Sequence, residues 1–388
     1  MMAVTGERRG MPRYDFILIA VILLLTLLGL VTLYSASFLF AANQPQRFAS
    51  GWDPLSGNFA ACIMMLALFP ILALIPLEWL KKGWVVVFLV FITIGLNLLP
   101  FFKPFQREDS AMRWVILKKG VGFQPSELIK VVLPLYLAYI LDKNREKLNV
   151  FVYGPLPPFV VTALFCALVL IQSNFSDAVL IALTSMAICF ISGIRVRWFV
   201  LALLLVIPAA YAVTLSDPGG VRYQRIKTFL SKEESPPELK TQIDFSVEAI
   251  KAGGFWGKGI GQGGLKIRMP EVHGDFVFAS FVEESGFLGV LFYLALVGVF
   301  AAISYMTAWM DKNRFIQFLS FGLVTPIVVQ TLMNIAVVAR IIPTTGVPLP
   351  FVSSGGSSLL VTLAGAALIV NMARGYAKSD NRGGRHAG

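Results

Sequence analysis

Long apolar runs alternate along the chain with short segments that carry most of its charged residues. A helix needs about 20 apolar residues to cross a bilayer, and most of the runs approach that length. The pattern therefore predicts an all-α polytopic membrane protein with about ten transmembrane helices. The runs lie at about 16–38, 57–77, 83–100, 126–141, 158–171, 178–194, 198–215, 276–309, 315–339 and 357–372.

The composition agrees with this class. Of 388 residues, 56% are hydrophobic and 14% are charged, whereas soluble domains carry about 25% charged residues. The cysteines Cys62, Cys166 and Cys189 lie inside apolar runs, and their spacing fits neither a zinc site nor a disulfide framework. The first run is too long for a signal-peptide core, so we expect it to be retained as the first span.

Charge predicts the orientation. The net charge is +11, from 33 basic and 22 acidic residues. Basic clusters such as Lys81–Lys82, Arg195–Arg197 and Lys312–Arg314 fall on alternate short loops, and the positive-inside rule places these loops and both termini in the cytoplasm. No regular basic-aromatic modules are present, so the excess charge indicates anionic lipid, and nucleic acid is not expected as a partner.

The extracytoplasmic side has longer segments of mixed character, at 103–122, 216–275 and 340–356. The segment 216–275 is predicted to be the one long extracytoplasmic loop, between spans 7 and 8. Long loops are usually functional or disordered, so the chemistry is expected on this face. Residues 1–378 are predicted to form a single domain, followed by a disordered tail at 379–388.

A candidate acid–base pair follows Arg113, in the sequence Gln124-Pro-Ser-Glu-Leu-Ile-Lys130. Proline suits the first turn of a helix, so Glu127 and Lys130 lie on one face near the start of that helix. Ionisable groups at the end of a spanning helix must face protein or water. The pair forms either a structural salt bridge or part of a polar cavity that binds an anionic headgroup.

In the long loop, Arg222 and Arg225 belong to a pattern typical of an amphipathic helix at the membrane interface. They form either a solvated basic face or a site that gathers phosphate-bearing lipid. A string of glycines at 253–264 lacks the surroundings of a nucleotide-binding motif. It predicts tight turns in which the backbone approaches another segment closely.

Asp275, with His273 close before it, precedes the apolar run at 276–309. An ionisable group at a membrane boundary is costly and suggests a functional site, here for proton abstraction or cation binding. In an extended segment the two side chains point the same way. The structural alternative is that Asp275 caps the following helix.

Prolines and glycines in 342–358 forbid a continuous helix. Non-helical backbone at membrane depth is tolerated only where it is buried in protein or lines a cavity. The segment is therefore either a packed re-entrant loop or a surface whose amides and hydroxyls bind polar substrate atoms. The residues predicted for the second role are Thr345, Ser353, Gly355, Gly356 and Ser357.

Together these segments resemble the SEDS family of integral-membrane peptidoglycan polymerases, represented by FtsW and RodA. The family's Arg-Trp and Gln-Pro-Ser-Glu patterns match Arg113–Trp114 and 124–130. Its Pro-Glu-x-His-x-Asp-Phe pattern matches 270–276, and its proline- and glycine-rich pattern matches 342–358. The resemblance covers nearly the whole chain and leans towards the FtsW branch, which acts in cell division.

The resemblance implies a glycosyltransferase of the bacterial inner membrane that polymerises lipid II into β-1,4 glycan strands. By analogy Asp275 would deprotonate the acceptor hydroxyl, and Glu127 and Lys130 would line the cavity, with Glu271 and His273 nearby. The resemblance also implies positive charge, and a divalent cation such as Mg²⁺ or Mn²⁺, at the leaving diphosphate. The implied partners are a class B penicillin-binding transpeptidase and other proteins of the divisome or elongasome.

Two departures from the family pattern bear on the site. Gln172-Ser-Asn-Phe-Ser-Asp177 stands where the family has Gln-Pro-Asp-x-Gly-Thr, which leaves open whether an acid acts there, and Arg340 stands where a glycine is common. A lipid II flippase or other transporter would also suit ionisable residues within the membrane. A scaffold for division proteins is a third alternative, which gives Asp275 no role beyond capping.

Overall fold

The protein is a bundle of long helices in the computed structural model, which describes residues 14–43, 54–102, 113–118, 121–204, 242–265 and 274–383. Four candidate site residues, Arg222, Arg225, Glu271 and His273, lie outside the described residues. Much of the predicted long loop, at 205–241, lies outside them too.

The helices follow the apolar runs. They are α1 (Tyr14–Asn43), α2 (Pro54–Leu74), α3 (Leu77–Leu80), α4 (Gly83–Leu98), α5 (Ser126–Lys143), α6 (Leu156–Ile171), α7 (Phe175–Ile191), α8 (Gln242–Gly253), α9 (Val277–Met310), α10 (Arg314–Val338) and α11 (Gly356–Gly383). Residues 196–204 are also helical. Between α4 and α5, strands β1 (Val115–Lys118) and β2 (Val121–Phe123) form an antiparallel hairpin.

Within the described residues, six helices are long and apolar enough to cross a membrane: α1, α2, α4, α9, α10 and α11. Helices α6 and α7 are apolar but shorter. Helix α5 is less apolar because it carries Glu127, Lys130, Asp142 and Lys143. The prediction of a helical multi-pass membrane protein is confirmed, whereas the count of about ten spans and the placement of both termini stay predictions.

Two features differ from the sequence-based expectation. The β1–β2 hairpin interrupts the otherwise helical fold, and strands this short show too little alternation to be distinguished from a loop. Helix α11 extends to Gly383, into the segment predicted as a disordered tail. Its residues there are Ser-Asp-Asn-Arg-Gly, whose mostly weak helix propensities explain why the sequence does not predict the extension.

Large apolar side chains cover the outside of the bundle. Leu66 and Phe91 leave 78% and 68% of their surface exposed, which suits contact with lipid. Helix α10 lies at the centre, where it contacts α5, α7, α9 and α11. The space between α5, α7 and α10 is therefore shielded from lipid and can hold polar groups.

Polar side chains tie helix ends together at one end of the bundle. Asn97, near the end of α4, donates from Nδ2 to the Pro125 carbonyl (3.2 Å), and Gln172 Nε2 donates to the Asn97 carbonyl (2.8 Å). At the start of α2, Asn58 Nδ2 donates to the Ser353 carbonyl (3.0 Å). The Ser176 hydroxyl at the start of α7 donates to the Thr345 carbonyl, so the start of α5, the start of α7 and the loop before α11 lie at the same end.

Helix α9 is broken at Gly286, where φ is +65°. Beside the break, the Phe287 N–H donates to the Gly254 carbonyl and the Lys258 N–H donates to the Glu283 carbonyl, both at 3.0 Å. Glycine is required because a Cβ on Gly286 would lie 2.7 Å from the Phe255 carbonyl oxygen. The predicted close approach of the glycine string is confirmed, and the segment it approaches is the kink of α9.

Candidate functional site

A buried cluster of three charged residues lies between α5 and α7. Lys130 Nζ is 2.7 Å from Glu127 Oε1 and 3.7 Å from Asp177 Oδ1. All three side chains are nearly inaccessible, with Glu127 only 1% exposed. Glu127 and Lys130 lie on one helix face and form the predicted ion pair. Helix α7 contributes a second carboxylate, that of Asp177.

The Asp177 carboxylate is held by polar neighbours from both helices. Its Oδ2 accepts hydrogen bonds from Asn174 Nδ2 (2.6 Å), Gln124 Nε2 (3.4 Å) and Ser126 Oγ (3.5 Å). Asn174 also caps α7, since its side chain accepts a hydrogen bond from the Asp177 N–H. Gln124 and Ser126 of the Gln-Pro-Ser-Glu pattern therefore serve to hold this second acid.

Asp177 was not among the predicted site residues. Asn174 stands near the position where the family pattern has its acid, and Asp177 supplies a carboxylate one helical turn further on. The available signal was an acidic residue in the first turn of an apolar helix. It was missed because its partner Lys130 lies on a different helix, which no spacing rule could identify.

Asp275 lies beside the loop that precedes α11. A Cβ on Gly346 would be 3.2 Å from Asp275 Oδ2, and Gly346 has a φ of +71° that favours glycine. The Asp275 carbonyl accepts a hydrogen bond from Asn334 Nδ2 (2.8 Å), near the end of α10. The N-cap position of α9 is Phe276, the residue after Asp275, so the capping alternative for Asp275 stays a prediction.

Three of the residues predicted to bind substrate also hold the loop in place. Ser353 Oγ donates to the Gly274 carbonyl (2.8 Å) and accepts from the Leu349 N–H (2.7 Å). The Gly355 N–H donates to Asn58 Oδ1 (3.0 Å). A Cβ on Gly356 would lie 2.5 Å from a backbone oxygen of α2, that of Gly57. These residues support the packed-loop alternative for their part of the segment.

Three other predicted site residues have polar atoms that could bind a ligand. Thr345 Oγ1, Ser357 Oγ and Arg113 Nε are buried and have no hydrogen-bond partner in the described part of the chain. Buried polar atoms of this kind are costly unless water or a ligand satisfies them. Arg113 is separated from the hairpin only by Trp114, and strand β2 contacts α11. These three residues are therefore suited to bind polar groups of a substrate.

One hydrogen bond joins the charged cluster to the loop beside Asp275. Ser176 Oγ, adjacent to Asp177, donates to the carbonyl of Thr345, the residue before Gly346. The segments at 124–130, at Asp275 and at 342–358 therefore converge at one end of the bundle. The sequence could order them on one face of the membrane, but only the fold brings them into a single site.

The departure at Arg340 has a structural explanation. Its φ of +55° is left-handed, which favours glycine over a residue with a Cβ. Arg340 Nη1 lies 3.3 Å from Asp244 Oδ1, so the side chain ties the end of α10 to α8.

The described residues do not fit a resident metal ion. Among them, no group of three or more histidine, cysteine or acidic side chains converges. Glu127 and Asp177 do converge, but the Lys130 ammonium lies between them and supplies the counter-charge. A divalent cation at the leaving group stays a prediction.

The fold and site define a multi-pass membrane protein with a polar, ionisable site at one end of its helix bundle. The sequence model of the family described as Cell cycle protein, which covers FtsW, RodA and SpoVE, matches residues 15–378. The chain belongs to this family.

Curated relatives agree over nearly full length. The chain is 31% identical over 382 residues to the probable peptidoglycan glycosyltransferase FtsW of Trichlorobacter lovleyi, covering 97% of each chain. It is 32% identical to the protein of the same name from Borreliella burgdorferi, covering 91% of this chain and 95% of that one.

A solved structure supports the fold. A chain from a study of how a peptidoglycan synthase complex coordinates polymerization and crosslinking superposes with a TM-score of 0.76 at 24% identity. The match covers 94% of this chain and 98% of that chain.

Proposed function

We propose that this protein is a peptidoglycan glycosyltransferase that polymerises lipid II, with Asp275 as the general base. The observation that carries the proposal is the convergence of Asp275, the loop at Thr345–Gly346 and the Glu127–Lys130–Asp177 cluster at one end of the bundle. The names of the curated relatives support the reaction class.

In the proposed reaction the Asp275 carboxylate takes the proton of the C4 hydroxyl of an acceptor GlcNAc. That oxygen attacks the anomeric carbon at the end of the growing glycan. The new C–O bond forms as the bond between the anomeric carbon and the diphosphate oxygen breaks, and undecaprenyl diphosphate leaves with the electron pair. Attack from the opposite face inverts the anomeric carbon and gives a β-1,4 bond.

The charged cluster is better suited to sugar than to phosphate. Two carboxylates share one ammonium, so with all three groups ionised the cluster is net negative. Such a cluster repels a diphosphate and attracts hydroxyl and amide donors. We therefore assign sugar binding to Glu127, Lys130 and Asp177, and expect the positive charge for the leaving group from Arg113, Arg222 and Arg225.

The cellular setting follows from the same proposal. Lipid-linked glycan is polymerised outside the bacterial inner membrane, so the site end of the bundle faces outwards, with about ten spans and both termini in the cytoplasm. A class B penicillin-binding transpeptidase is the proposed partner, since the product requires crosslinking. The FtsW names of the curated relatives favour the divisome over the elongasome.

The test measures glycan polymer made from labelled lipid II by the purified protein together with its transpeptidase. Asp275→Asn is nearly isosteric but cannot accept the proton, so we expect polymer formation to fall about 100-fold or more. The matched control is Asp311→Asn, an aspartate after the last turn of α9 at the other end of that helix. It should polymerise normally.

The same preparations distinguish the second candidate function. Buried ionisable residues such as Glu127 and Lys130 also suit proton-coupled transport. If Asp275→Asn keeps full polymerisation, the proposed role of Asp275 is wrong. If lipid II crosses vesicles that contain the protein without any polymer being formed, a flippase is favoured instead.

A further inference from the structure

Asn334, near the end of α10, connects the segment that carries Asp275 to the loop before α11. Its Nδ2 donates to the Asp275 carbonyl and to the Val347 carbonyl, both at 2.8 Å. The side chain is only 1% exposed. A primary amide nitrogen carries two hydrogens, so both are used, one on each segment.

Ser353 makes a second connection between the same two segments. Its hydroxyl donates to the Gly274 carbonyl and accepts from the Leu349 N–H. Each side chain therefore joins the backbone just before α9 to the loop that contains Gly346. Asn334 precedes that loop along the chain and Ser353 follows it.

The geometry points to Asn334 and Ser353 as positioning residues that hold the Asp275 backbone against the 345–349 loop, and so fix where the Asp275 carboxylate is presented beside Gly346. This inference rests on the proposed role of Asp275. Neither side chain needs to contact the substrate. Both act by preventing the base and the loop from separating, and a displacement of about 1 Å at a reacting group can cost about 100-fold in rate.

The chain offers a close control for Asn334. Asn371, towards the other end of α11, also donates from Nδ2 to two backbone carbonyls, those of Leu72 (2.9 Å) and Ile75 (2.8 Å). Both carbonyls lie at the end of α2, so this amide ties α11 to α2 at a place remote from Asp275. Asn334→Asp and Asn371→Asp each replace a doubly donating amide with a carboxylate of the same shape, which cannot donate and faces two carbonyl oxygens.

The experiment determines kcat and KM for lipid II, with the transpeptidase present, together with the thermal unfolding temperature of each variant. We expect Asn334→Asp to lower kcat about 10–100-fold while KM stays within about threefold, because the base is displaced but the substrate contacts remain. Asn371→Asp should lower the unfolding temperature to a similar extent and leave kcat unchanged.

A second pair of variants keeps the inference testable if Asn334→Asp does not fold. Ser353→Ala removes the hydroxyl and should lower kcat in the same way, whereas Ser353→Thr retains the hydroxyl and should recover part of the rate. Wild-type kcat in Asn334→Asp or Ser353→Ala would overturn the inference. A kcat loss in Asn371→Asp equal to that in Asn334→Asp would also overturn it, since lost stability would then explain both.

These outcomes are distinct from failure of the proposed function. If Asp275→Asn is inactive and both positioning variants have normal kcat, Asp275 remains the base and the positioning role is wrong. If Asp275→Asn is itself active, the proposed function fails first.

Discussion

The carboxylate of Asp275 faces Gly346 closely, since a Cβ added to this glycine would be 3.2 Å from Asp275 Oδ2. The contact joins a residue before α9 to one after α10. A side chain at position 346 would press on the proposed base, so the loop can shape the surroundings of the carboxylate directly.

Gly346→Ala should therefore lower kcat strongly while the free energy of unfolding falls only modestly. The left-handed φ of +71° costs a non-glycine residue about 1–2 kcal/mol, and the methyl group also presses on the Asp275 carboxylate. We expect kcat for polymerisation to fall about 10-fold or more because the base is displaced. Steady-state assays with labelled lipid II measure the change.

Gly261→Ala is the matched control for that substitution. Its φ of +83° imposes a similar backbone cost, but within the described residues a Cβ there would meet no atom within 4 Å. Its activity should stay normal. Equal losses of kcat in the two variants would mean that backbone strain, not contact with Asp275, is responsible.

Gly286→Ala should prevent α9 and the glycine string from packing together. The new Cβ would lie 2.7 Å from the Phe255 carbonyl oxygen, at a residue with a φ of +65°. Strain and steric overlap together should destabilise the protein by about 3 kcal/mol or more, which thermal unfolding in detergent would show.

Gly298→Ala, in the same helix, provides the contrast. A Cβ there would meet nothing within 4 Å in the part of the chain that the structure describes. Alanine favours a helix over glycine by about 1 kcal/mol, so the unfolding temperature should stay level or rise. Equal losses of stability in Gly298→Ala and Gly286→Ala would contradict a special requirement for glycine at the kink.

Lys130→Met should destabilise the protein strongly, because it leaves Glu127 and Asp177 buried together without a cation. Removing one partner from a buried ion pair costs about 3–5 kcal/mol. Adding Glu127→Gln in the same chain should recover part of that loss by removing one of the two charges. Thermal unfolding of the single and double variants gives the comparison.

A surface pair provides the reference for that prediction. Lys81 Nζ lies 2.6 Å from Asp142 Oδ2, but the lysine side chain is 44% exposed. Exposed pairs contribute about 1 kcal/mol or less, so Lys81→Met should have little effect. If the two lysine substitutions cost the same, the cluster is more open to water than its burial indicates.

Glu283→Ala should loosen the glycine string from the kink of α9. The fully buried Glu283 carboxylate accepts hydrogen bonds from Lys258 Nζ (2.8 Å) and from the N–H groups of Gly264 (3.0 Å) and Leu265 (3.2 Å). Loss of that acceptor should cost about 1–3 kcal/mol. Amide hydrogen exchange at 254–265 should become faster.

Lys258→Ala removes only one of these donors, and the lysine side chain is 39% exposed. Its effect on hydrogen exchange should be clearly smaller. Equal acceleration in the two variants would show that the ion pair, and not the backbone amides, holds the string.

The sequence by itself determined the membrane class, the positions of most helices and the first half of the charged cluster. Hydropathy is a local property of the chain, so the apolar runs predicted α1, α2 and the later long helices. Glu127 and Lys130 lie one turn apart on a single helix, so their contact also followed from local spacing.

Only the tertiary structure decided which distant residues meet. Asp177 joins Lys130 from another helix, and Asn334 reaches both Asp275 and Val347. Ser353 was predicted to bind substrate, yet its hydroxyl is already hydrogen-bonded to the backbone at Gly274 and Leu349. Such contacts depend on how helices pack and where loops close, and a periodicity within one segment carries no information about the facing segment.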